Sequence, residues 1–276
     1  MKLFNKVVII GTGLIGGSLG LALKKKHLVS RITGLSRQKR NAALAKKAGA
    51  IDYVTDSLEA VKDADLIILA TPVEAIIEIA LKIAKKIKKD CVVIDVGSTK
   101  EAIVSRLSRV IPNFIGCHPL SGSERRGVVN LKADIFRNSI CIITPTVKTN
   151  KKILGKVSLL WRSLGSKVVF LSPREHDRIL SFTSHLPHTV AFSLMGCIPD
   201  KFLGLSSTGL KDSTRISASD AILWSEVFLS NRRNLLISIS AFQTKLAVLK
   251  LALERKNKKL LISILAAAKK KREKLG

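Results

Sequence analysis

Four of the five histidines in this chain stand in short polar motifs. His118 lies in Cys117-His118-Pro119-Leu120-Ser121-Gly122-Ser123-Glu124, near the middle of the chain. His176 is followed by Asp177, and His185 and His188 share the run Ser184-His185-Leu186-Pro187-His188; only His27 falls outside such a motif. An imidazole titrates near neutral pH, so it can take or give a proton during a reaction. Further on, Lys211-Asp212-Ser213-Thr214-Arg215 offers a guanidinium able to grip a carboxylate through two parallel hydrogen bonds, with Asp212 to steady it. The plainer alternatives are an ion pair at a helix start for Arg215, and packing or capping roles for His185 and His188. No metal site is expected. Zinc helices place two histidines four apart with a third ligand and a carboxylate nearby, whereas His185 and His188 are three apart with Pro187 between them.

A second group of residues points to a nucleotide. Lys6 to Ile10 is a short apolar run suited to a buried parallel strand, and Gly11-Thr12-Gly13-Leu14-Ile15-Gly16 follows at once, leading into a helical pattern. This is GxGxxG in the context of strand, turn and helix. The first glycine serves the tight turn, the second lets backbone approach a pyrophosphate, and the third lets helix and strand pack closely. The helix start then offers free N–H groups to the phosphates. Ser36 and Arg37 close the next strand pattern, about 20 residues past Gly16, where an NAD-selective site usually carries an acidic residue for the ribose diol. A hydroxyl and a guanidinium suit a 2′-phosphate better, so the cofactor is expected to be NAD or NADP, with NADP slightly favoured. Stacking of Arg37 on adenine in an NAD site is the alternative.

These groups are carried by a recognisable rhythm of elements. Strand patterns at 31–35, 65–70, 91–96, 113–117, 139–144 and 167–171 alternate with helical patterns at 38–47, 75–88, from about 101, and 151–164. Ligands of such sheets lie beyond the carboxyl ends of the strands. Thr71, Pro72 and Val73 are therefore expected to line the cofactor, and Ser98 and His118 to fall just past strand ends on the same side. Ser98 can equally be a helix N-cap, or do both. Pro173 marks a break, after which only helical patterns remain. The expected fold class is α/β: a Rossmann-type N-terminal domain over residues 1–172, then an all-α domain over 173–276. His118 would stand where a cofactor held by the first half meets a substrate held by the second. The long apolar helices around Trp224, Val227, Phe228, Leu235, Ile239, Phe242 and Leu246 need a partner surface, so a homodimer through this half is expected, with a solvated, frayed basic tail from Lys269.

Composition narrows the remaining classes. The chain has 276 residues, 46% of them hydrophobic and 25% charged, which is enough to build cores. Its four widely spaced cysteines form no CxxC pair, which fits reduced thiols and a cytoplasmic location. The chain enters a strand pattern too early for a signal peptide, and Asp65 to Ile87, its most apolar region, is interrupted by charged residues and Pro72, so no membrane association is expected. The net charge of +28 raises the question of nucleic acid. The basic residues are spread along the chain and aromatic residues make up only 4%, so specific nucleic-acid binding is not expected. Salt-sensitive adhesion to polyanions is expected, as is steering of small anionic substrates.

Taken together, the segments GTGLIGGSLGLAL, DVGSTK, GCHPLSGSE, SPREHD, SHLPH and KDSTR resemble the prephenate dehydrogenase family, which includes arogenate and cyclohexadienyl dehydrogenases. The resemblance spans nearly the whole chain, in the family's order. It implies a Rossmann domain followed by a helical dimerisation domain, and a cytoplasmic enzyme that converts prephenate to 4-hydroxyphenylpyruvate by oxidative decarboxylation, with hydride transfer to NAD(P). It also implies roles. His118 is the base that draws the proton from the ring hydroxyl, and Ser98 holds that hydroxyl close to the nicotinamide. Arg215, with Lys211, binds a substrate carboxylate. His176, His185 and His188 shape the substrate pocket, with Glu124 at its mouth. Arogenate-specific relatives often lack the second histidine of SHLPH, so His188 favours prephenate, whereas Ser36-Arg37 is shared with NADP-using arogenate relatives. The rival readings are an arogenate dehydrogenase using NADP, a two-domain β-hydroxyacid dehydrogenase with a catalytic lysine, and a cofactor-binding regulator without dehydrogenase activity. The span from Lys6 to Gly276 is expected to hold no separate regulatory domain, so feedback by tyrosine is expected at the active site itself.

Overall fold

The computed structural model describes residues 2–121 and 127–275. Glu124, expected at the mouth of the pocket, lies outside the described residues. Contacts divide the chain into two compact units, 1–231 and 232–276. This division falls later than the expected domain boundary at 172/173, because helices following Pro173 pack into the first unit.

The first unit is built on an eight-stranded sheet. In chain order its elements are β1 (Phe4–Ile10), α1 (Leu14–Lys25), β2 (Val29–Leu35), α2 (Lys39–Lys47), β3 (Tyr53–Thr55), β4 (Leu66–Leu69), α3 (Val73–Ile83), β5 (Val92–Asp95), α4 (Glu101–Leu107), β6 (Phe114–Pro119), β7 (Ile140–Thr144), α5 (Lys151–Ser163) and β8 (Lys167–Phe170). The strand order is β3-β2-β1-β4-β5-β6-β7-β8. The first six strands in this order are parallel, and β7 runs antiparallel to β6. The strand β3 has no counterpart in the sequence reading: it is three residues long and half-exposed, so it carries no apolar run.

Both faces of the sheet are covered, which explains why its central strands read as continuous apolar runs. Along β1, Val7 and Ile9 point into one core layer with Leu19, Leu23, Leu160 and Trp161 of α1 and α5. Val8 and Ile10 point into the other layer with Ile76, Ile83, Ile103 and Leu107 of α3 and α4. The two-residue alternation of a strand thus feeds two separate cores.

After β8 the chain is helical. Helix α6 (Pro173–Leu180) opens with a capping box, in which Ser172 Oγ accepts from Glu175 N–H and the Glu175 carboxylate accepts from Ser172 N–H. It runs through a π turn at Ser181–His185 directly into α7 (Leu186–Cys197). Pro187 has no N–H to donate, and the wider turn before it, closed by Leu186 N–H on Ser181 O, accommodates that loss inside one continuous rod. Helices α8 (Thr208–Thr214) and α9 (Ala221–Ser230) complete the unit. The second unit contains α10 (Arg232–Glu254) and α11 (Lys258–Arg272). The tail expected to fray remains helical: α11 continues through Lys269–Arg272, whose side chains are exposed. By length and composition alone, α10 is long and apolar enough to cross a membrane. All four cysteines are free thiols, three of them buried.

Candidate active site

The glycine loop between β1 and α1 has the geometry its residue types require. Gly11 adopts φ +99, and a Cβ there would stand 2.4 Å from Ala70 O. A Cβ on Gly16 would stand 1.9 Å from Gly11 O, so no side chain fits between loop and helix. A Cβ on Gly13 would meet nothing within 4 Å; the space outside this residue is open to an approaching group. Gly13 is the N-cap of α1, and no side chain satisfies the helix start. Thr12 Oγ1, and Thr71 Oγ1 just past β4, are buried with no hydrogen-bond partner among the described residues. Unfilled donors at a helix start, two buried hydroxyls and open space beside a glycine fit a dinucleotide pyrophosphate. Leu14 and Ile15 begin the helix, half-buried. Pro72 is exposed as the N-cap of α3, whereas Val73 is buried in the core.

Ser36 is half-buried and Arg37 exposed immediately after β2. Ser36 also lines an open cavity of about 720 Å³ between α2 and β3, together with Lys39, Lys46 and Lys47. This cavity lies at the outer edge of the sheet and does not include the histidine cluster.

His118 belongs to β6 itself, not to the loop beyond it. The strand outruns its parallel neighbour: Asp95 pairs with Gly116, and the next residues pair only with β7, His118 with Ile142. The antiparallel partner extends β6 past the end of the parallel sheet, so His118 still emerges on the carboxyl side of the parallel strands. The pattern of apolar residues could not show this, because His and Pro end the run although the hydrogen-bonded strand goes on.

The π turn and α6 bring the other histidines to it. His118 Nδ1 lies 2.8 Å from His176 Nε2, and His176 Nδ1 lies 2.8 Å from Asp177 Oδ1. His176 and Asp177 are buried. The carboxylate of Asp177 also caps α4 from outside, accepting from Lys100 N–H at 2.7 Å and Glu101 N–H at 2.9 Å. Ser98 does not supply this cap. Instead Ser98 is half-buried in the turn between β5 and α4, one residue before the buried Thr99, and α4 begins only at Glu101. Lys100 turns its ammonium inward to Asp95, forming an ion pair with no solvent exposure. Asp95 also accepts from Gly97 N–H at 2.8 Å, which ties the turn carrying Ser98.

His185, the last residue of the π turn, is buried and accepts on Nδ1 from Asn231 Nδ2 at 3.1 Å. Asn231 also donates to the carbonyl of Asp177 at 2.7 Å. No local sequence pattern singles out Asn231, since it follows the helix α9 and reaches Asp177 across 54 positions. His188 donates from Nδ1 to Ser184 O at 2.9 Å, and its ring stacks on Trp224 with centroids 3.4 Å apart. Arg215 is exposed at the end of α8, and Lys211 one turn earlier; burial first, and then the nearby Arg215 guanidinium, hold His188 below the ordinary imidazole range, with the Ser184 carbonyl opposing them.

Burial dominates the electrostatics. Removal from water, followed by the nearby His176, Lys100 and His185, holds His118 well below the ordinary imidazole range. Burial also lowers His176, although Asp177 opposes it, and brings His185 down to about 4. These rings are therefore neutral at pH 7, which leaves lone pairs available. Among the described residues, no group of three or more His, Cys, Asp or Glu side chains is placed to hold a metal ion.

The arrangement is thus a dinucleotide cradle at the carboxyl ends of β1 and β4, and a neutral imidazole at the end of β6 backed by a buried histidine and carboxylate. Comparison with known proteins agrees. Residues 19–170 match the model for the prephenate dehydrogenase nucleotide-binding domain, and residues 172–267 match that for the prephenate dehydrogenase dimerization domain. The chain belongs to the prephenate dehydrogenase family. It is 35% identical over 243 residues to the prephenate dehydrogenase of Bacillus subtilis (strain 168), covering 84% of this chain and 66% of that relative. Its fold matches the prephenate dehydrogenase of A. aeolicus, solved with hydroxyphenyl propionate and NAD+, at a TM-score of 0.93 and 33% identity over 100% of this chain and 99% of that one. It also matches Synechocystis arogenate dehydrogenase at 0.85 and 27% identity, over 98% and 100%. Membership of this family supports NAD(P)-dependent dehydrogenase chemistry over the β-hydroxyacid and regulator readings.

Proposed function

We propose that this protein oxidatively decarboxylates prephenate to 4-hydroxyphenylpyruvate, with the hydride passing to NAD(P). The observation that carries this reading is the placing of one neutral imidazole, His118, on the ligand side of the sheet, with His176, His185 and Lys100 about it. When bound, the nicotinamide supplies the hydride acceptor. The chain must do the rest. His118 takes the proton of the ring hydroxyl as the carbonyl develops, and Ser98 holds that hydroxyl from the turn tied by Asp95. Arg215, with Lys211, grips a carboxylate, while His188 walls the pocket and the buried His176 and His185 pack behind it. Loss of carbon dioxide makes the ring aromatic, which supplies the driving force, so the protein's task is positioning and charge complementarity. For the cofactor, Gly11, Thr12, Gly13, Leu14, Ile15 and Gly16 cradle the pyrophosphate, and Thr71, Pro72 and Val73 line the strand end beside it.

A second reading, arogenate oxidation with NADP, is favoured by Ser36 and Arg37. Arg37 is exposed just past β2, and the neighbouring cavity is lined by Lys39, Lys46 and Lys47 together with Asp56. His188, held against Trp224, supports prephenate. The functional domains divide at 172/173, and the protein works in the cytoplasm as a homodimer. The exposed apolar residues of α10 and α11, among them Leu236, Ile237, Leu246, Ile262 and Leu265, are assigned to the partner subunit and not to a membrane.

The test is reduced-nicotinamide absorbance in a four-way grid of prephenate or arogenate with NAD or NADP. Turnover with prephenate supports the first reading; turnover confined to arogenate and NADP replaces it with the second. His118→Asn is expected to lower kcat by about 10²–10⁴-fold with a modest change in KM, and Arg215→Ala mainly to raise KM. A large KM effect with kcat intact in His118→Asn would remove the base assignment.

A further inference from the structure

We infer that Asp177 and His176 act with His118 as a relay that decides which ring nitrogen of His118 is the base: the proton sits on Nδ1 and the lone pair on Nε2. The inference rests on the reading of His118 as the base and adds how that base is prepared.

The argument is one of donors and acceptors. Asp177 receives two peptide N–H groups, from Lys100 on Oδ1 and from Glu101 on Oδ2. A peptide N–H only donates, so both carboxylate oxygens act as acceptors here. His176 Nδ1 approaches the same Oδ1 at 2.8 Å and must therefore donate to it. A neutral imidazole carries one N–H, so His176 Nε2 holds a lone pair. His118 Nδ1, at 2.8 Å from that nitrogen, must donate in turn. Only Nε2 of His118 is then left to accept a proton. Because His176 has no solvent exposure, water offers its ring no other partner. Asn231 pins the arrangement by donating to the backbone carbonyl of Asp177.

The order carboxylate, imidazole, base fulfils the roles of the acidic residue in a hydrolase triad, where the acid fixes a tautomer and steadies the imidazolium that forms. Here an extra imidazole stands between carboxylate and base. In the proposed step the substrate O–H bond breaks and an Nε2–H bond forms on His118. The resulting positive charge is shared through the Nδ1–H bond with His176 and faces the fixed charge of Asp177. His176 and Asp177 are therefore positioning residues, and neither touches the reacting atoms. The same hydrogen-bond logic gives two internal controls: His188 must carry its proton on Nδ1, facing Ser184 O, and His185 on Nε2, with Asn231 donating to Nδ1.

Long-range proton–nitrogen correlation on the full chain labelled with 15N-histidine tests this at neutral pH, without turnover. The expected spectrum shows Nδ1–H with a bare Nε2 for His118, His176 and His188, and the opposite for His185. In His176→Phe, the His118 signals should move to a mixture of tautomers and kcat should fall about 10²-fold with little change in KM. His176→Gln retains an acceptor oxygen and should keep the Nδ1–H form and recover part of the rate. A wild-type His118 protonated on Nε2 overturns the relay, even if His176→Phe does not fold. So does a folded His176→Phe variant with unaltered tautomer and kcat. If the tautomers are as stated but His118→Asn keeps its turnover, the relay stands and the base assignment fails.

Discussion

At the scale of single residues, the proposed site depends on keeping a half-buried imidazole, His118, neutral. A histidine whose folded pKa is depressed stays in its base form as pH falls through the ordinary range near 6.5, and gains a proton only below it. The causes at His118 are burial first, then His176, Lys100 and His185. Asp177 and Asp95 sit one partner further away, behind His176 and Lys100. If His118 is the base, kcat/KM should be flat from above neutrality down through pH 6.5, with its acid limb lying below that value. A pH–rate profile measures this directly, and an acid limb centred at or above 6.5 would show that the proton acceptor is not this ring. Lys100 and Asp95 form a pair that cannot be broken from one side without leaving a buried charge, at a cost of about 3–5 kcal/mol.

At the scale of elements, the two faces of the glycine loop have different jobs. Gly16 is squeezed between helix and loop, while Gly13 borders open space. Gly16→Ala should therefore damage the fold, lowering the midpoint of thermal unfolding by several degrees in the absence of cofactor. Gly13→Val should leave that midpoint nearly unchanged and weaken cofactor binding instead. Calorimetric unfolding paired with a cofactor titration separates the two. Equal loss of stability in both variants would mean that the loop is purely a packing device. Other elements meet at Asp177, whose carboxylate substitutes for the missing side-chain cap of α4. That single group joins the start of α4, the turn bearing Ser98 and the histidine pair, so helix placement and site geometry are set together.

At the scale of the whole molecule, the excess of basic residues has a kinetic consequence. A net charge of +28 attracts small anions over distances of about a Debye length, roughly 10 Å at 0.1 M salt. For a dianionic substrate, kcat/KM should fall as ionic strength rises from low to physiological values, while kcat changes little. Rates measured across a salt series check this, and a salt-independent kcat/KM would leave the charge without a role in substrate capture.

Much of this protein can be read from its residue order. The glycine loop, the buried runs of β1, β4 and β5, and the helical second half follow from local periodicity, because each strand buries both faces and each glycine answers a local backbone demand. The six ordered motifs identified the family for the same reason, since loop chemistry is written in neighbouring residues. Other features required the folded chain. The short β3 carries no apolar signal. The extension of β6 through His118 depends on the hydrogen bonds of β7, which arrives from more than twenty positions away. The capping of α4 by Asp177, the reach of Asn231, and the contact of His118 with His176 join residues 54 to 77 positions apart. Hydrogen bonds of that span leave no periodicity in a sequence. Residue types alone therefore pointed to a histidine base and a dinucleotide loop, whereas only the packing of α6 against the sheet set His176 and Asp177 against Nδ1 of His118.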